Sequence, residues 1–192
     1  RLEDCTISDP YGDFVYIAHD AVGTTVQGCT MTRSGRQGIS VVDGMRTVID
    51  HNNLSQIARS AIDLETYVPE WAVSDVRITN NTFGPTRLVI LAAKGEGDVS
   101  NVVYAYNKHV GVPMRIKNTP LFGRRHDWSI IGNTADHTYG SPHGSVWMFR
   151  TDHIVVRDNV QPLQSGRNPA QIATEYNECT DVRESNNSFP YA

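Results

Sequence analysis

Residues 34–67 read SGRQGISVVDGMRTVIDHNNLSQIARSAIDLETY and contain one pattern twice. A turn of small or basic residues (Ser34, Gly35, Arg36; then Ala58, Arg59, Ser60) leads into a short alternating strand (Ile39, Ser40, Val41; then Ile62, Asp63, Leu64). The first of these strands runs on through Asp43 and Gly44 into Val48 and Ile49. A polar corner, Asn52-Asn53-Leu54, closes the turn. Self-similarity at such a period marks a repeat architecture, in which one supersecondary unit stacks on copies of itself.

The same corner recurs through the whole chain, at Cys5, Cys29, Asn52, Asn81, Asn107, Asn133, Asn159 and Asn186, with a spacing in the twenties. The segments between corners alternate in twos, as strands do, rather than at the three- and four-residue spacing of a helix. Val76-Arg77-Ile78 and Ile154-Val155-Val156 show it plainly. Short strands at this period leave no room for crossover helices, and the Leu-x-x-Leu-x-Leu framework of leucine-rich repeats is absent. The fold expected is all-β: one single-stranded right-handed parallel β-helix over residues 1–192, of about seven to eight coils. The chain opens on Arg1, inside what already reads as a repeat. The expectation is therefore a longer native chain, or solenoid ends capped by a flanking domain or in a homo-oligomer.

The corner has a physical reason. Asn tolerates left-handed backbone, and its amide can bond to the next Asn about 4.8 Å along the stack. Cys5 and Cys29 fall on the first two steps, which suits interior thiols; adjacent steps also permit a disulfide. Three Asn-x-Ser/Thr sequons, at Asn53, Asn80 and Asn186, sit on or beside the corner and read as by-products of the ladder.

A strand after each corner places inward Val15 and Ile17, Ile39 and Val41, Ile62 and Leu64, Val89 and Leu91, Met114 and Ile116, Val146 and Met148, then Ala170 and Ile172. Another precedes the next corner, through Val26, Ile49, Ile78, Tyr104, Ile130 and Val156. The longest interruption, TYVPEWAVS, follows Glu65.

Composition sets outer bounds. With 39% hydrophobic and 20% charged residues in 192, neither a disordered chain nor a membrane-spanning one fits. No apolar run approaches the roughly 20 residues of a spanning helix. A net charge of −4 without any Lys/Arg-rich run argues against a nucleic-acid partner.

The turn at residues 35–40, the Ala-Ile-Asp-Leu-Glu strand at 61–65 and the repeated Asn-Asn-x-Phe corners resemble the pectate-lyase-like superfamily of right-handed parallel β-helices. That group contains polysaccharide lyases and hydrolases and phage tailspike-like proteins. The resemblance covers nearly the whole chain and implies an extracellular setting and a polysaccharide partner. The Gly-Asp-Asp and Gly-His-Gly signatures of polygalacturonases and the Asp-Pro-His-Asp of alginate epimerases are absent, so no catalytic residue is carried over.

The strand phasing itself points to a site. Outward positions form columns: Tyr16, Ser40, Asp63, Ile90, Arg115, Trp147, Gln171, and two residues on Ala18, Val42, Glu65, Ala92, Lys117, Phe149, Ala173. Asp63 and Glu65, about 6.6 Å apart at the backbone on one strand face, are the candidate acid/base pair. Arg115 is the candidate base of a lyase, in which case the two carboxylates would hold Ca²⁺; a hydrolase needs no cofactor. Tyr16, Lys117, Trp147, Phe149 and Trp71 are the candidate sugar-binding groups, since rings stack on sugar faces and cations grip acidic sugars. Outward charges on a solenoid also serve solvation, and outward aromatics also pack under loops or against another subunit, so a non-catalytic adhesion or tail module stands as the alternative. Asp136, His137 and His143 share a loop but match no defined metal spacing.

Overall fold

The computed structural model describes residues 1–137, 145–162 and 174–188, and every regular element among them is a strand. The strands stack in three parallel sheets. The first joins Leu2–Glu3, Thr25–Gln27, Val48–Asp50, Ala72–Thr79, Asp98–Ala105, Arg125–Ile131, Thr151–Arg157 and Thr180–Ser185, each paired with its counterpart one turn on. The second holds short strands just past the corner, from Thr6–Ser8 and Thr30–Ser34 through Asn53–Ile57 to Thr134–Ala135. The third runs Val15–Ile17, Ile39–Val41, Ile62–Thr66, Leu91–Gly95, Ile116–Pro120, Val146–Phe149 and Thr174–Asn177. This is the expected parallel β-helix, and the six strands of the second sheet mark six turns that carry all three sheets.

Single left-handed residues bend each turn. One column directly precedes the ladder position: Asp4, Gly28, His51, Asn80, Tyr106, Gly132, Asp158 and Asn186. A second lies six positions ahead of the ladder residue: Gly23, Arg46, Asp75, Asn101, Asp127, His153 and Asp181. A third lies four positions past it, at Asp9, Arg33, Gln56 and Gly111. The bend amides donate to the carbonyl just ahead of the same bend one turn on, as Asp4 N does to Gln27 O, Gly28 N to Asp50 O and His51 N to Thr79 O, which ties each copy to the next. Side chains there are mostly short, polar or absent, the kinds that meet least resistance at positive φ. These bends frame a module of constant length. All variation in turn length falls outside it, in the segment that carries the third sheet and its loops.

Between the bends, alternate residues face a continuous core. Val26, Ile49, Ile78, Tyr104, Ile130 and Val156 form one buried column, and Met31, Leu54 and Phe83 another. Tyr104 stacks on Phe83 with centroids 6.1 Å apart. His109 is fully buried beside them, its Nε2 3.0 Å from Tyr104 Oη. Burial drives its imidazole down to about 3.

The ladder is fully wired. Asn81 Oδ1 accepts from the backbone N and the Nδ2 of Asn52, at 2.9 and 3.0 Å, and Asn81 Nδ2 donates to Ile49 O and to Asn107 Oδ1. Asn107, Asn133 and Asn159 repeat the arrangement. The residue that takes the left-handed conformation is the one before the ladder Asn, not the Asn itself. The last step is Asn187, which accepts from Asn159, whereas Asn186 is the left-handed residue ahead of it. Cys29 stands at the buried start of the ladder, its N donating to Asn52 Oδ1, and Cys5, Cys29 and Cys179 are all free thiols.

Three register expectations are corrected. Leu91 and Ala93, not Val89 and Leu91, continue the column of Ile62 and Leu64; Ile116 and Asn118 follow, not Met114 and Ile116. The shift is by two residues, so the alternation survives while every neighbour along the stack changes. In the seventh strand Thr174 and Tyr176 pair with Val146 and Met148. Ala170, Gln171, Ile172 and Ala173, expected there, lie outside the described residues.

Candidate functional site

The outer face of the third sheet carries, in register, Tyr16, Ser40, Asp63, Ala92, Lys117, Trp147 and Glu175. Glu65 stands beside Lys94, and Lys94 beside Thr119. Relative to expectation, Ala92 and Lys117 replace Ile90 and Arg115 in the Asp63 column, and Lys94 and Thr119 replace Ala92 and Lys117 in the Glu65 column. Ile90 is buried in the core, not outward.

Asp63 is the centre of this face. It is 1% exposed. Gln37 Nε2 donates to its Oδ2 at 2.6 Å, and the Lys94 ammonium lies 3.5 Å from the same oxygen. Its Oδ1 is buried without a hydrogen-bond partner among the described residues. Burial pushes Asp63 up to about 6; Lys94 opposes the rise, and Glu65 and Asp13 add to it. Lys94 also reaches Glu65 Oε1 at 3.0 Å, so one ammonium serves both carboxylates. Buried acids perturbed in this way occur at functional sites and in structural ion-pair networks alike.

Preceding turns hold the cluster in place. Gln37 Oε1 accepts from Ser60 N at 2.8 Å, which fixes the amide that faces Asp63. Asp13 receives Gln37 N at 3.0 Å and Ser40 Oγ at 2.7 Å. Sequence reasoning missed Asp13, Gln37 and Lys94. The first two belong to turns rather than strands, and Lys94 enters the face only through the two-residue shift. A polar residue in the turn ahead of each third-sheet strand (Asp13, Gln37, Ser60) was the available signal.

The remaining candidates divide. Lys117 lies over the Trp147 ring at 4.1 Å, and burial, then the nearby Arg115 charge, lowers its ammonium below the ordinary lysine value. Arg115 itself sits ahead of its strand, level with Ile90, and the Asp63 column continues through Lys117 instead. Phe149 is covered by the Arg150 guanidinium at 4.9 Å. Trp71 packs 5.8 Å from Tyr67, whose hydroxyl lies near Arg36 and Tyr16. Burial, with Glu65 next, pushes Tyr67 up to about 12. The loop after Glu65 therefore stands beside Tyr16, which stays 50% exposed, and leaves Leu88 47% exposed.

Asp63 and Glu65 do not fit a bridging Ca²⁺, because the Lys94 ammonium already occupies the space between them. Among the described residues no group of three His, Cys, Asp or Glu is placed to hold a metal. His143 lies outside the described residues, and Asp136 accepts the Gly111 amide at 2.8 Å.

The three stacked parallel sheets make the chain a parallel β-solenoid. Residues 1–112 match the family described as the right-handed beta helix region, and the chain belongs to that family. No curated protein and no solved structure matches the chain.

Proposed function

We propose that this β-helix is carbohydrate-active: it holds an extracellular polysaccharide across the outer face of the third sheet, with Asp63 and Glu65 as the acid/base pair. The observation that carries this reading is the environment of Asp63. A carboxyl group raised to about 6 is available as a proton donor near neutral pH, and its strand neighbour Glu65 shares its Lys94 counter-ion. Ala92 supports it: it puts only a methyl group between Asp63 and Lys117 in the column, so a sugar ring laid there would meet an acid on one side and a cation over an aromatic ring on the other.

A second reading has its own observation. Asp63 is nearly inaccessible and one of its oxygens is committed to Gln37, an arrangement that also suits a purely structural network in an adhesion or tail module.

One experiment separates them. The parent, Asp63→Asn and Glu65→Gln are incubated with a panel of polysaccharides and assayed for reducing ends and for the absorbance of unsaturated products. Cleavage lost in both variants supports the pair. Cleavage unchanged in both removes it, and an inactive parent supports the structural module.

A further inference from the structure

A trough lies along the edge where the second sheet turns into the third. Equivalent positions of four successive turns build it, as a shallow depression of ≈ 530 Å³ open broadly to solvent. Pro10, Ala58 and Pro85 give it an apolar lining, and its charged lining groups are Asp9, Arg33 and Arg87. Directly beside it Arg59 N bonds to Arg36 O at 3.0 Å, which stacks these two arginines in adjacent turns. The bridge between Ile57 and Thr86 brings Arg87 alongside in the next turn.

Four arginines thus gather on one edge, Arg33 and Arg36 in one turn and Arg59 and Arg87 in the next two, with turns about 4.8 Å apart, where like charges repel. Two are matched: Asp9 holds Arg33 at 2.6 Å, and Asp13 approaches Arg36 at 3.6 Å. Arg59 and Arg87 are exposed and have no carboxylate at ion-pair distance among the described residues. This local positive excess stands out in a chain whose net charge is −4.

We infer that the trough docks a strand of acidic polysaccharide lying along the solenoid axis, its anionic groups held by Arg59 and Arg87. Guanidinium forks take carboxylate or sulfate oxygens in pairs. The proline and alanine lining meets the apolar faces of the sugar rings. A nucleic acid is disfavoured, because the lining carries no aromatic ring for base stacking and two unmatched cations release few counterions. The inference rests on the proposed function only for the choice of a glycan, and it is read by retention rather than cleavage.

The test compares the parent with Arg59→Glu/Arg87→Glu in affinity electrophoresis through dextran sulfate, carboxymethyl dextran, plain dextran and oligo-dT. Thermal unfolding verifies that the variant is folded, and Arg59→Lys/Arg87→Lys serves as a charge-conserving control. The expected result is retention of the parent by both acidic dextrans and not by plain dextran, weakening with salt. Charge reversal should reduce it at least tenfold, and the lysine variant should keep most of it. Absence of retention, equal retention by plain dextran, full retention of the reversed variant, or stronger retention by oligo-dT would each overturn the docking role. Retention without any cleavage would overturn the acid/base pair alone.

Discussion

Gln37 Nε2 donates a 2.6 Å hydrogen bond to Asp63 Oδ2 from the adjacent turn, while Gln37 Oε1 accepts from Ser60 N. One amide thus favours the charged form of a buried acid and satisfies a buried backbone donor. Gln37→Leu should raise Asp63 above its present value of about 6, since the lost donor favoured the carboxylate. It should also cost about 1–3 kcal/mol by stranding Ser60 N. Carboxyl-carbon NMR titration reads the first and urea unfolding the second; an unmoved titration would show that Gln37 does not tune Asp63.

Burial raises Asp63 above its ordinary 3.8, so the protonated form is the one folding favours. That contribution is complete below pH 3.8 and is lost as pH rises through about 6. Asp63→Asn keeps a neutral group of similar shape. Its stability relative to the parent should rise between pH 4 and 6 and level off above, by about 3 kcal/mol in all. Parallel stability–pH curves for the two proteins would contradict the shift.

His109 behaves in the opposite sense. Its buried imidazole is driven down to about 3 from an ordinary 6.5, so its contribution is complete above pH 6.5 and lost as pH falls toward 3. His109→Gln, which can still meet Tyr104 Oη, should remove about 3 kcal/mol of destabilisation at pH 4 relative to pH 7. Denaturant midpoints at the two pH values provide the measurement.

Asn107 accepts from Asn81 N and Asn81 Nδ2 and donates to Ile78 O, all within the core. Asn107→Ala strands Asn81 N, takes one of the two bonds of Asn81 Nδ2 and the one to Ile78 O, and should cost about 3 kcal/mol or more. Asn186→Ala should cost less, because Asn186 is exposed and lies outside the ladder. Equal losses at the two positions would mean that the wiring at Asn107 is not what stabilises the corner.

The repeat was legible because it is written in local chemistry. Asn at each corner and alternating Val, Ile and Leu between corners give the same answer at every turn, and the register of residues 26, 49, 78, 104, 130 and 156 holds throughout. Where the sequence loses that redundancy, the register is lost too. Leu88-Val89-Ile90-Leu91 is apolar throughout, so no polar residue marks where its strand begins, and the structure starts the strand two residues later with the alternation intact. The same shift carries Lys94 to Glu65 and Lys117 to the Trp147 column, and takes Arg115 out of it. The short strands past each corner went unread as well, because two- to five-residue strands give too few alternations to register.

For Asp63 and Glu65 the sequence by itself determined their shared strand, their common outward face and the long insertion after them, all consequences of a period of two and a repeat in the twenties. Only the tertiary structure decided that Asp63 is buried, bonded to Gln37 and bridged to Glu65 by Lys94. Those partners come from three different turns, and which turn lies over which depends on loop lengths and stacking register. Pattern fixes the face of a strand; the stack fixes what each residue on that face will meet.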